Sequence, residues 1–392
     1  MEVTRPESGR EISHPATPEV SRVVHVVRSL ETGGLESLVL EVCRQFIALR
    51  GLDVRILAMQ AGDGLGRRGE YQAIPTTVLP RCGRVRMLWA LRREFRRLRP
   101  DVVHVHNFHA HVHGVPAARA ARIPVIVSTK HGAEMPRLLG SRALAGRAYR
   151  MADAMVAVSR DVRDLLLATY GFEPERVRLI LNGIDTERFR PIDVGREEQR
   201  ARVLGVTGAP LVGTVCRLVQ LKGVDTLLTA FDRVRRRLPG AVLVVVGDGP
   251  ERANLEARAA GLGLGGSVRF LGTRADTAAI YPLLDVFVLA SFTEGISLTV
   301  LEAAACRVPV VATDVGGNSE VLEHRRSALI VPPRDAPALA HAVLELCERP
   351  DMAAGIAAAA RERVVEHFSL NRMTRDYVDL YNEIYRRKRV DA

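Results

Sequence analysis

Short apolar runs alternate with helix-patterned stretches along this chain, and the alternation happens twice. In the first half, runs at 22–28, 54–59, 77–79, 102–106, 125–129, 154–158 and 177–181 read as strands, with helical patterns at 35–49 and 84–98 among them. In the second half, strands are expected at 211–216, 242–246, 268–271, 286–289, 310–313 and 328–331. Helical patterns near 224–238, 250–260, 298–306 and 336–348 separate them. Short strands that are apolar throughout, spaced by helices, argue for parallel sheets covered on both faces. The expected class is therefore α/β, with two doubly wound domains facing across a cleft at the carboxyl ends of their strands. Residues 1–20 are polar and proline-bearing and are expected to be a disordered tail, not a secretory signal. The first domain is placed at 21–190 and the second at 205–370, with a charged linker without a clear strand at 189–208. The stretch 352–387 reads as helical throughout and ends basic, and a returning helix is assigned to 371–388.

The 392 residues suffice for two ordinary domains, and 47% hydrophobic with 26% charged residues is the balance of a soluble globular protein. No apolar run reaches the ~18 residues that a membrane-spanning helix needs. The five cysteines, Cys43, Cys82, Cys216, Cys306 and Cys347, lack CxxC spacing, which argues against a disulfide framework or a zinc site. A net charge of +11 suggests an anionic partner, although an arginine-rich surface alone would also give it. Only three lysines occur, Lys130, Lys222 and Lys388, so each asks why a compact ammonium replaced arginine.

The stretch from Ser291 to Pro309 says most about chemistry. Glu294 sits beside Gly295 in a tight turn, and Glu302 falls just over one turn inside a largely apolar helix. The free N–H groups between them attract anions, so a phosphate could dock there while Glu302 reaches a neighbouring hydroxyl. A buried carboxylate in such a helix calls for a partner. Arg217 and Lys222 lie in the loop after the first strand of the second domain, where a guanidinium fork and an ammonium suit a diphosphate. Gly33-Gly34-Leu35-Glu36 marks a strand-to-helix turn that either lets a ligand approach the backbone or needs a positive φ. His131 closes a strand of the first domain and would face the cleft. Three more turns, beginning at Asn182, Gly247 and Val315, follow strands; they are turn chemistry first, and some of them are expected to be cleft walls.

Other signals carry less. Gly64-Leu-Gly66-Arg-Arg-Gly69 matches GxGxxG, yet no helical pattern follows it. His104, His106, His109, His111 and His113 resemble a metal cluster, but His104 and His106 alternate along a strand and no carboxylate joins them. No Asp-x-Asp pair is present to hold a metal–diphosphate. The arginine-rich helix at 84–99 carries Trp89 and could rest on anionic lipid, or simply cover the sheet.

Taken in order, Gly33-Gly34, His131-Gly132, Asn182-Gly183-Ile184-Asp185, Arg217 with Lys222-Gly223, Gly247-Asp248-Gly249-Pro250, Phe270-Leu271-Gly272, Ser291 with Glu294-Gly295 through Glu302-Ala303, and Thr313-Asp314-Val315-Gly316-Gly317 resemble family 4 of the glycosyltransferases. The resemblance spans about residues 22–385. It implies the GT-B architecture of two Rossmann-like domains and a retaining sugar transfer from a nucleoside-diphosphate sugar to an acceptor hydroxyl. A UDP-sugar is the expected donor, and no metal ion is expected.

By position, the resemblance implies that Arg217 and Lys222 neutralise the donor diphosphate and Glu302 holds the ribose hydroxyls. The amides near Leu298 and Thr299 would cap the phosphates, with Gly295 beside the donor. Glu294 would touch the donor sugar or the acceptor's approach to it. Gly33 and Gly34 would line the phosphate and acceptor region, and His131 would face the reacting sugar and the acceptor. Glu294, His131, Arg217 and Lys222 are the expected catalytic groups. The first half would bind a carbohydrate or lipid-linked acceptor, in polysaccharide or glycolipid synthesis, and the last helix would cross back onto it. The expected location is the cytoplasm, with peripheral contact at the inner face of an anionic membrane and no nucleic-acid partner. Three alternatives stay open: a hydrolase using Glu294 and Glu302, a sugar-nucleotide epimerase, and a binding protein without turnover.

Overall fold

The computed structural model describes residues 19–390 apart from 32, 68, 133–138 and 193, so nearly all of the expected tail lies outside the described residues. The first sheet holds β1 (Arg22–Val27), β2 (Asp53–Ala58), β3 (Thr76–Val78), β4 (Val102–His106), β5 (Val125–Lys130), β6 (Ala154–Ala157) and β7 (Val177–Leu179). All are parallel, in the order β3-β2-β1-β4-β5-β6-β7. The second sheet holds β8 (Leu211–Val215), β9 (Val242–Val246), β10 (Val268–Gly272), β11 (Val286–Leu289), β12 (Val310–Thr313) and β13 (Leu329–Val331). It is also parallel, in the order β10-β9-β8-β11-β12-β13.

Helices α1 (Gly34–Arg50), α2 (Arg84–Leu98), α3 (Asn107–Ala121), α4 (Leu139–Met151) and α5 (Arg160–Tyr170) cover the first sheet. With the second go α6 (Arg196–Leu204), α7 (Val224–Arg237), α8 (Arg252–Gly261), α9 (Thr277–Ile280), α10 (Leu298–Ala305), α11 (Asn318–Val321) and α12 (Ala336–Glu348). The chain ends in α13 (Pro350–His367) and α14 (Leu370–Val390). Central strands such as β4, β5, β11 and β12 are buried at every position; β11 is apolar throughout, whereas β4 and β5 also bury His104, His106, Ser128 and Thr129. Strand order reverses between β1 and β4 and again between β8 and β11, and such switch points open crevices at the carboxyl ends.

One expectation is refined and one corrected. The stretch 189–208, expected as a charged linker without a clear strand, carries a helix that was not expected there, α6. Arginines, rather than an apolar stripe, pin this helix. Buried Arg200 donates to Leu283 O at 2.8 Å and pairs with Asp285 at 2.9 Å, while Arg196 donates to Leu284 O at 2.7 Å. The end of the chain is not helical throughout, because α13 and α14 are separated at Phe368–Ser369. There Ile184 N donates to Phe368 O at 2.9 Å and Leu370 N donates to Ile184 O at 2.8 Å. The two crossings between the halves therefore run side by side. They touch so closely that a Cβ on Gly183 would sit 2.5 Å from Ser369 O. Beyond the break, Met373, Tyr377 and Tyr381 of α14 join the core beneath the first sheet, whereas Ala360 and Val364 of α13 belong to the second half.

Candidate active site

One interdomain cavity of about 530 Å³ gathers all ten expected site residues: Gly33, Gly34, His131, Arg217, Lys222, Glu294, Gly295, Leu298, Thr299 and Glu302. Each comes from a loop at the carboxyl end of a strand or from the helix start that follows. The halves meet tightly beside it. A Cβ on Gly295 would lie 2.7 Å from His131 O, and Asn182 Nδ2 donates to Ile296 O at 3.3 Å.

The cationic loop after β8 behaves differently at its two charges. Arg217 is exposed and forms no ion pair among the described residues. Lys222, expected to neutralise a diphosphate, is paired within the protein: its Nζ lies 2.5 Å from Glu294 Oε1. Ser291 Oγ donates to the same oxygen at 2.6 Å. The loop geometry depends on glycine at both partners. Gly223, following Lys222, has φ +60, and a Cβ there would fall 2.1 Å from Ala290 O. Gly316 has φ +55 and leaves 2.1 Å between its Cβ position and Glu294 O.

Glu302 sits on the second turn of α10, where the apolar pattern buries Val300, Leu301 and Ala303. Burial pushes its carboxyl up to about 7, against the pull of the Tyr281 hydroxyl, which donates to Oε2 at 2.6 Å. This is the partner that a carboxylate in an apolar helix demands. The group lines the cavity, so one face remains open to a ligand hydroxyl.

Two helix starts converge on the cavity, and neither is capped by a side chain. Gly33 precedes α1 with extended φ −170 and ψ 161, so no positive φ requires glycine there. A Cβ on Gly33 would meet only the Glu36 carboxylate tip closely, and one on Gly34 would contact Leu298 Cδ1 at 3.6 Å. Gly33 and Gly34 thus put no side chain of their own between the first turn of α1 and that of α10. First-turn N–H groups of both helices present partial positive charge to the same space, with the Glu36 carboxylate folded back onto its own backbone N–H at the start of α1.

The histidines divide. His109, His111 and His113 lie on α3, where His111 Nδ1 bonds Ser128 Oγ at 2.5 Å and His113 Nδ1 bonds His109 O at 2.9 Å. His104 and His106 lie on one face of β4 and are joined by His25, the β1 residue opposite His104. One ring nitrogen of each falls within 4.8 Å of the others, a spacing that could hold a metal. Five of the six ring nitrogens are nevertheless engaged, His25 Nε2 being the exception. His104 bonds Tyr381 OH and Thr129 Oγ1, both at 2.6 Å, and His25 Nδ1 bonds His106 Nε2 at 2.9 Å. His106 Nδ1 in turn meets His131 Nε2 at 3.0 Å, so the set is a hydrogen-bonded network that leads to the cavity.

Asn182, expected as a cleft wall, lines the cavity and is tied to Ile296, whereas sequence reasoning missed Asp63, Tyr281 as the partner of Glu302, and the group Thr273, Arg274 and Thr277. The position of Thr273 directly after β10 was the available signal, since carboxyl-end loops build the crevice. A smaller cavity of about 180 Å³ continues past Glu302 and Arg274 toward Tyr71 and Arg188.

Comparison with known proteins decides the family. Residues 32–188 match the model described as Glycosyltransferase Family 4, and residues 209–349 match Glycosyl transferases group 1. An alpha-maltose-1-phosphate synthase of Mycolicibacterium smegmatis is 31% identical over 382 residues, covering 90% of this chain and 96% of that protein. This chain is a group 1 glycosyltransferase of family 4. The glycosyltransferase is also 36% identical over 261 residues to a GDP-mannose-dependent alpha-(1-6)-phosphatidylinositol monomannoside mannosyltransferase of Mycobacterium tuberculosis, covering 64% of this chain and 67% of that protein. Its fold is shared with HepE of Anabaena solved with UDP, at a TM-score of 0.82, 23% identity, and 92% and 100% coverage of the two chains. The GT-B architecture implied by the motifs is thus the one observed.

Proposed function

We propose that this glycosyltransferase moves a sugar from a nucleoside-diphosphate sugar to an acceptor hydroxyl with retention of anomeric configuration and without a divalent ion. The observation that carries the reading is the convergence of Arg217, Lys222 and two uncapped helix starts on the cavity that holds the Glu302 carboxyl. Breaking the sugar–phosphate bond places negative charge on the leaving diphosphate. Preset donors at that point stabilise the transition state without reorganising. Glu302 would accept from the ribose hydroxyls, and the nucleoside would extend along Thr273, Arg274 and Thr277. Retention follows if the acceptor attacks from the face that the diphosphate leaves, with a phosphate oxygen taking the proton.

The acceptor would enter from the first domain, past His131 and Gly34, as a carbohydrate or a lipid-linked sugar. Peripheral contact with an anionic membrane is supported by α2, whose Trp89 and Val85 are 63% and 67% exposed among arginines. No helix among the described residues is long and apolar enough to cross a membrane. A UDP-sugar is the donor suggested by the UDP-bound HepE fold neighbour, whereas the name of the mannosyltransferase relative favours a GDP-sugar.

Thermal stabilisation by UDP-, GDP- and ADP-sugars identifies the donor, because a ligand that binds only the folded state raises its melting point. Nucleoside diphosphate released only with acceptor supports transfer. Release without acceptor would instead favour hydrolysis, and isomerised donor would favour an epimerase. A product of inverted configuration would refute the retaining reading.

A further inference from the structure

We infer that the buried imidazole row His25–His106–His131 sets the tautomer of His131, so that His131 offers an Nδ1–H to the donor sugar in the cleft and acts as a hydrogen-bond donor, not as a base. The inference rests on the proposed sugar transfer only for what occupies the cleft. The tautomer itself follows from the protein.

The row has two links, His25 Nδ1 to His106 Nε2 at 2.9 Å and His106 Nδ1 to His131 Nε2 at 3.0 Å. Burial holds His25 and His131 neutral, each brought down to about 3, and His106 lies well below its ordinary value for the same reason. Each neutral ring carries one proton and can donate from only one nitrogen. Three rings joined by two links therefore have two arrangements. In one, every ring donates from Nδ1, and the row ends in an Nδ1–H on His131. In the other, every ring donates from Nε2, and the row ends in an Nε2–H on His25.

The far end selects between them. His25 Nε2 is buried without a hydrogen-bond partner among the described residues. The first arrangement leaves a lone pair there, whereas the second leaves an N–H. Orphaned buried N–H groups are the rarer and costlier defect. The balance favours the row that donates outward, and His131, which lines the cavity, then has Nδ1–H as its free end. A ring in this state cannot take a proton from an acceptor hydroxyl at Nδ1, because that nitrogen has no lone pair. It can donate to an oxygen of the sugar. His106 and His25 are positioning residues in this scheme, since they act through His131. His131 itself is braced by its backbone N–H, which donates to Asn107 Oδ1 at 3.3 Å.

The test is nitrogen NMR of the full chain labelled with ¹⁵N-histidine at neutral pH, with the His131 signals assigned by their loss in His131→Gln. The expected spectrum shows His131 protonated at Nδ1 and bare at Nε2. Protonation at Nε2 would overturn the inference, whether or not any sugar is transferred. His106→Phe removes the link and should leave His131 as a mixture of tautomers. Turnover should drop roughly five- to tenfold, the loss of about one well-placed hydrogen bond, with nucleoside-diphosphate affinity kept. A folded His106→Phe chain whose His131 keeps a single Nδ1–H form would equally overturn it. The wild-type spectrum decides the question if that variant does not fold. A correct tautomer in a chain that transfers no sugar from any nucleotide donor would overturn the proposed function instead.

Discussion

Lys222 Nζ and Glu294 Oε1 stand 2.5 Å apart across the loop after β8 and the turn before α10, 72 residues apart in sequence. The ammonium expected to meet a diphosphate is thus already neutralised by the carboxylate expected to meet the sugar. Donor binding would have to share or break this pair, which couples recognition of the diphosphate to the position of Glu294. Glu294→Gln removes the competing charge. Calorimetry should find nucleoside-diphosphate affinity equal or a few-fold tighter, while turnover falls about a hundredfold. An affinity tenfold weaker would show that Glu294 holds the nucleotide rather than the sugar.

Glu302 gives a prediction of opposite signs for stability and function. Its carboxyl titrates near 7 in the folded chain and near its ordinary 4.5 when unfolded. The folded state therefore holds the extra proton between those values, and stability falls as pH rises through that window. Glu302→Gln keeps an acceptor for Tyr281 and avoids burying the charge. Its melting temperature should exceed that of the parent chain at pH 8, by the equivalent of about 3 kcal/mol, and match it below pH 4.5. Donor affinity should fall at every pH above 7. Equal melting points at pH 8 would contradict the burial argument.

Gly295 sits where the halves touch. In Gly295→Ala the new Cβ would lie 2.7 Å from His131 O, so the two halves would have to separate there. Turnover should drop at least tenfold, with nucleoside-diphosphate affinity reduced no more than a few-fold, because Arg217 and Lys222 stay on the second half. Small-angle scattering should show a slightly larger radius of gyration. Unchanged turnover would mean that this contact is not part of the active arrangement.

Much of this arrangement is legible in the residues alone. β4, β9, β11 and β12 fall at their expected bounds because buried parallel strands are short apolar runs with clear ends. All ten expected cavity residues follow from motif order. Other features needed the third dimension. His25 enters the histidine row only through the β1–β4 register, which places it opposite His104. The Lys222–Glu294 and Tyr281–Glu302 pairs join distant segments through single polar contacts, which leave no periodic trace. Helix α6 escaped because buried arginine contacts with the carbonyls of Leu283 and Leu284 anchor it, and a polar sequence then looks like a linker.

The exposed face of α2 should bind anionic vesicles. Trp89 is the only tryptophan in the chain, so its emission reports this face directly. Phosphatidylglycerol vesicles should shift that emission to the blue and sediment the protein, with binding that weakens as salt rises. Neutral phosphatidylcholine vesicles should do neither. Equal binding to both, or none to either, would count against a peripheral membrane role.

The most direct measurement is calorimetry of UDP and GDP binding to the parent chain and to Lys222→Ala and Arg217→Ala, each with a chelator and with magnesium. We expect at least one nucleotide to bind equally well in both conditions, and its affinity to fall tenfold or more in each variant. Binding that requires magnesium, or variants that bind as well as the parent, would contradict the cationic cradle.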